Sequence, residues 1–121
     1  MGSFSIREKA TAKYTATVKD ENGTAIPGSS LATMVVTLYN KQDEAIINSR
    51  DGQNVLNANN VTIDANGLVT WIMQPADNVI SDDTLSLEEH IALWEWTYGP
   101  GGAKAGNHET SLLVQNVRLV P

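Results

Sequence analysis

Apolar and polar residues alternate with a period of two along most of this chain, and turn residues cut the alternation at short intervals. Thr11 to Asp20 shows it most cleanly. Ala12, Tyr14, Ala16 and Val18 fall on one side, and Lys13, Thr15, Thr17 and Lys19 on the other. That is the pattern of a strand with one buried and one wet face. Asp20-Glu21-Asn22-Gly23 follows, with an Asn-Gly pair suited to the positive φ angles of a tight turn. No segment sustains a helical period, and the pattern reads as a β-sandwich or barrel.

The same reading extends along the chain. Met34 to Asn40 is apolar on both faces, as expected of a central strand. Ala45 to Asn48 reads as a short strand. Val61 to Ile63, the turn Asp64-Ala65-Asn66-Gly67 and Leu68 to Met73 read as a hairpin. Gln74 to Leu87 is irregular, with a weak helical signal from Ser81 to Leu87. Glu89 to Tyr98 is the most apolar strand, Gly99 to Asn107 a Gly-rich loop, and Glu109 to Val120 the final strand. About seven antiparallel strands result, a pattern shared by sandwiches and barrels, and the fold expected is an all-β, immunoglobulin-like β-sandwich. At 121 residues the chain suits a single domain over 1–121, with residues 1–9 an N-terminal arm or edge strand.

Composition narrows the function classes. The net charge is −6 and the eight basic residues are scattered, which argues against nucleic-acid binding. There are no cysteines, which removes thiol nucleophiles and thiolate metal sites and fits folding in a reducing compartment. Met1 to Lys9 lacks the apolar core of a signal peptide, and no apolar run is long enough to span a membrane.

Several constellations invite a chemical reading. His90 and His108 stand beside Glu89 and Glu109 and would lie together at one end of a hairpin; cross-strand polar pairing competes with a metal site. Asp64-Ala65-Asn66-Gly67 has the start of a calcium loop but lacks its later ligands, so a hairpin turn is expected. Asp77, Asp82, Asp83, Glu88 and Glu89 form an acidic segment without a nucleophile–base pattern, which reads as solvated charge rather than a hydrolytic pair. The sequence therefore leads to the expectation of a protein that is not an enzyme and takes no metal or other cofactor. Trp94, Trp96 and Tyr98 share one strand face, which is either core or a contact surface. Together with Gly101, Lys104 and Asn107 of the following loop they are the candidate interface residues.

Two segments resemble a known family. Thr17-Val18-Lys19-Asp20-Glu21-Asn22-Gly23-Thr24-Ala25-Ile26-Pro27-Gly28 and Thr62-Ile63-Asp64-Ala65-Asn66-Gly67-Leu68-Val69-Thr70 are similar to the turn signatures of bacterial immunoglobulin-like domains of invasin-type adhesins. A lone, cysteine-free domain of this kind also resembles small bacteriophage virion proteins. The resemblance implies a structural or interaction protein acting as a head decoration, neck component or tail appendage. Its place would be the virion, and its partners other virion proteins or copies of itself. The competing expectation is a carbohydrate-binding or adhesion module with Trp71, Trp94 or Trp96 exposed.

Overall fold

The fold is described by a computed structural model covering residues 3–82 and 84–117. Eight strands are present among these: β1 Ser3–Arg7, β2 Ala12–Thr17, β3 Leu31–Asn40, β4 Gln53–Asn54, β5 Val61–Ile63, β6 Leu68–Met73, β7 Leu87–Tyr98 and β8 Lys104–Gln115. They form a five-stranded sheet in the order β1-β8-β7-β3-β4 and a three-stranded sheet in the order β2-β6-β5. Two sheets in this order make an all-β sandwich. The pairing is antiparallel except at the first strand, where β1 runs parallel to β8 with Ser3 opposite Ser111 and Arg7 opposite Gln115. The N-terminal arm is thus an edge strand.

The alternation in the sequence sets which side chains enter the core. Met34, Val36 and Leu38 of β3, Val69, Trp71 and Met73 of β6, and Leu112 and Val114 of β8 are all buried. β3 lies between β7 and β4, the central position its two apolar faces demand. Trp71 is fully buried and holds an aromatic cluster together: Trp94 meets it edge-on at 5.4 Å and Tyr14 at 6.5 Å, while Tyr14 stacks on Trp94 at 6.1 Å. Such offset and edge-to-face contacts add to the stabilisation from burial alone.

The two Asp-x-Asn-Gly turns are built alike. Asp20 Oδ1 accepts the N–H groups of Asn22 and Thr24, and Asp64 Oδ1 those of Asn66 and Leu68. Gly23 and Gly67 take φ angles of 77° and 79°. The turns are also joined to each other. Val18 N–H donates to the Gly67 carbonyl and Gly28 N–H to the Asp64 carbonyl. A Cβ on Gly67 would fall on the Ile26 carbonyl oxygen, whereas one on Gly23 would meet open space.

Three expectations need correction. Ala45 to Asn48 is not a strand; only an isolated bridge links Ile46 to Tyr39, because left-handed Glu44, Asn48 and Ser49 turn the chain away. Ser81 to Leu87 forms no helix among its described residues. Instead the Ser81 and Asp82 N–H groups donate to the Glu88 carboxylate, and a single 3-10 turn lies earlier, at Pro75–Asp77. The final strand begins at Lys104 rather than Glu109. Its first half lacks apolar alternation because it flanks an opening in the sandwich, and pairing with β7 from Tyr98↔Lys104 onward fixes it instead. The far end of the expected strand, residues 118–120, lies outside the described residues, as does Asp83.

Candidate functional site

The opening lies between the edges of the two sheets. β1 closes a portion of it: Ile6 is buried and Phe4 meets Tyr14 edge-on at 5.6 Å. Upstream of Ser111, β8 continues through Lys104–His108 with β7 on one side and no described strand on the other. β2 is the facing edge of the smaller sheet. Between them runs an open groove of about 460 Å³. Tyr14, Ala16 and Val18 form one wall, and Met34, Trp94 and Trp96 the floor. Lys19, Asn107 and His108 stand at its rim.

The backbone of the open edge has a defined polarity. The Gln115 carbonyl accepts from Glu8 next to β1, while Asn116 N–H donates to Ser86 on the β7 side. Backbone groups switch sides with every residue of a strand. Ala105 and Asn107 therefore turn their N–H and C=O groups toward the open edge. Unpaired strand edges of this kind are templates for another strand.

Trp96 shapes the groove through its neighbour. It pairs with Gly106, and a Cβ on Gly106 would stand 2.7 Å from three atoms of the indole. Glycine there lets the ring lie flat across the strand, partly buried, with Nε1 out of reach of any protein acceptor among the described residues. Trp94 is 4% exposed and belongs to the core, and its Nε1 is likewise buried and unpartnered. Tyr14 is anchored by a 2.9 Å hydrogen bond between its hydroxyl and Thr110 Oγ1.

The six candidate interface residues separate into three places. Trp96 and Asn107 line the groove, and Trp94 lies beneath it. Tyr98, 9% exposed, donates its hydroxyl to Glu21 Oε1 at 2.8 Å, and Lys104 Nζ reaches Glu21 Oε2 at 3.1 Å. This pins the first Asp-x-Asn-Gly turn to the β7–β8 hairpin. Glu21's own backbone N–H, then Tyr98 and Lys104, hold its carboxyl down at about 2. Gly101 sits exposed in the hairpin turn with φ of 65°.

The other constellations disperse. His90 of β7 is opposite Leu112 and His108 of β8 opposite Trp94, so the two histidines sit four residues out of register in the β7–β8 hairpin. His90 is fully buried against Glu88, with Nε2 at 2.7 Å from Oε1. Burial pushes the Glu88 carboxyl up, but the Ser81 N–H, His90 and the Asp82 N–H outweigh it and leave it below the usual range. Glu89 faces Lys41 and Ser111. Among the described residues no group of three or more His, Asp or Glu is placed to hold a metal ion, and no helix is long and apolar enough to cross a membrane.

Asp77 is no solvated charge: it is fully buried and paired with Arg50, itself 2% exposed. Arg50 Nε donates to Oδ1 at 2.6 Å and Nη2 to Oδ2 at 3.1 Å. Asn48 Nδ2 and the Gln74 N–H complete the carboxylate's donors, both at 2.8 Å. The guanidinium also lies over Trp71, 5.4 Å from the ring centroid. Arg50 Nη1 also donates to the Asn59 carbonyl and Nη2 to Asn60 Oδ1, so the network ties three loops together, and no local signature in the sequence announces it. Comparison with known proteins finds no matching family model, no matching curated protein and no matching solved structure.

Proposed function

We propose that this chain is a structural or interaction protein, a component of a bacteriophage particle that works by surface contacts with other virion proteins or with copies of itself. The observation that carries the contact role is the open edge of β8 over Lys104–His108 beside an apolar groove. Exposed edges are ordinarily covered or blunted, and one left open beside apolar surface is suited to a partner. The virion assignment rests on the turn signatures at Asp20–Gly23 and Asp64–Gly67 and on the absence of cysteine. A sugar platform is less well supplied, because Trp71 and Trp94 are core residues and only Trp96 reaches the groove with part of its ring exposed.

Two measurements test this reading. The gene's neighbours are expected to encode capsid, portal or tail proteins, and the purified protein to co-sediment with particles or their subunits. A protein that stays monomeric at high concentration and binds no capsid or tail protein would overturn it.

A further inference from the structure

We infer that the groove between β2 and β8 receives an extended segment of another protein chain, which adds as a strand to Lys104–His108 in line with β1 and parallel to β8. The inference rests on the contact role proposed above and specifies its chemistry. Three observations define the occupant. The Ala105 and Asn107 N–H and C=O groups face the opening at the spacing of a strand, so the ligand backbone is extended. The groove is apolar on its floor and one wall, so the ligand presents apolar side chains inward at every second residue. β1 already fills the adjoining stretch of the same cleft in this manner, with Phe4 and Ile6 directed inward, Phe4 against Tyr14, and a parallel register on β8. A segment following the same path brings its inward residues to Trp96 and Ala16. The run from Lys104 to Ser111 is about 23 Å of strand at the parallel rise. Gly106 helps keep this path open: having no Cβ, it leaves room for the Trp96 ring to lie flat against the strand.

The test uses the whole protein and a synthetic peptide that repeats the β1 alternation, Ser-Phe-Ser-Ile-Ser-Phe-Ser-Ile-Arg. Titration is followed by amide NMR and hydrogen exchange. Binding is expected to shift the Ala105 and Asn107 amides and slow their exchange at least tenfold. A spin label on the peptide N-terminus is expected to broaden Lys104 and Ala105 more than Thr110. Asn107→Pro removes an edge-facing donor without touching the β7 ladder, and Ala16→Tyr fills the groove from the other sheet. Each is expected to keep a folded spectrum and weaken the peptide at least tenfold. Equal binding by both folded variants, equal binding of a peptide with the same composition but no alternation, or a reversed broadening pattern overturns the inference. Assembly that persists in both variants while the peptide fails to bind removes the groove assignment and leaves the contact role standing. Peptide binding with no virion partner leaves the groove and removes the particle.

Discussion

Replacing Asp77 with Asn tests whether the buried Arg50 pair holds one end of the sandwich together. The change keeps the side-chain volume, so it creates no cavity. Four donors point at the two carboxylate oxygens: Arg50 Nε and Asn48 Nδ2 at Oδ1, Arg50 Nη2 and the Gln74 N–H at Oδ2. An amide has one oxygen, so whichever way it turns, its NH2 faces two of those donors. Each buried donor left without an acceptor costs about 1–3 kcal/mol. The guanidinium, 2% exposed, also loses its only carboxylate partner among the described residues. Breaking a buried pair by removing one member costs about 3–5 kcal/mol, and the two routes agree at that level. For a chain of this length the melting temperature is expected to fall by roughly 10–20 °C. Urea unfolding followed by tryptophan fluorescence measures the same loss, with Trp71 reporting directly because Arg50 lies over its ring. Arg50→Met made in the Asp77→Asn background is expected to cost less than it does alone, so the double variant loses less than the sum of the two single losses. A loss below about 1 kcal/mol, or additive single changes, would refute the idea that the pair is mutually dependent.

The remaining expectations follow from the turns, the acid pair and the core. Gly67→Ala is expected to cost more than about 2 kcal/mol in urea unfolding, since strain at positive φ adds to the clash with Ile26, while Gly23→Ala carries only the strain, about 1 kcal/mol; equal losses would contradict the packing of one turn on the other. The Glu88 carboxyl lies below its ordinary pKa when folded, so its stabilisation is fully present above the ordinary value of 4.5 and is lost as pH falls through the folded value. Glu88→Gln is therefore expected to flatten the acid limb of a stability–pH curve, and an unchanged limb would place the acid sensitivity elsewhere. Trp71→Ala, a fully buried ring, is expected to cost about 3–5 kcal/mol by calorimetry. Acrylamide is expected to quench the wild-type tryptophans weakly, with Trp96→Phe removing most of the quenchable signal.

Much of the fold was legible because its rules are local. The β5–β6 hairpin is written in Asp64-Ala65-Asn66-Gly67 and the alternation either side of it. The inward face of β7 could be listed from the sequence, yet periodicity alone could not decide whether Trp94 to Tyr98 was core or contact surface. The structure divides that face by position: Trp94 lies under β2, Trp96 lies where β1 no longer covers the cleft, and Tyr98 is tied to Glu21. The Arg50–Asp77 pair was invisible because 27 residues separate its members and neither sits in a recognisable pattern. The role of Gly106 was hidden for a related reason: its partner Trp96 is known only once the hairpin register is fixed. The acidic segment misled because sequence proximity says nothing about burial, and Asp77 and Glu88 proved to be interior groups with separate partners.

The parallel alignment of β1 with β8 bears on how the domain carries mechanical load. Ser3 lies beside Ser111 and Arg7 beside Gln115, so the chain enters and leaves this pair at opposite ends. Tension applied through both ends of the chain slides the two strands along each other and stresses the whole five-residue ladder together. An antiparallel pair pulled from the same end would unzip rung by rung. Forced unfolding is governed by the unfolding rate, and this geometry sets the rungs to resist together at the first barrier. Pulled in that way, the short edge strand β1 would act as a tension clasp for the domain.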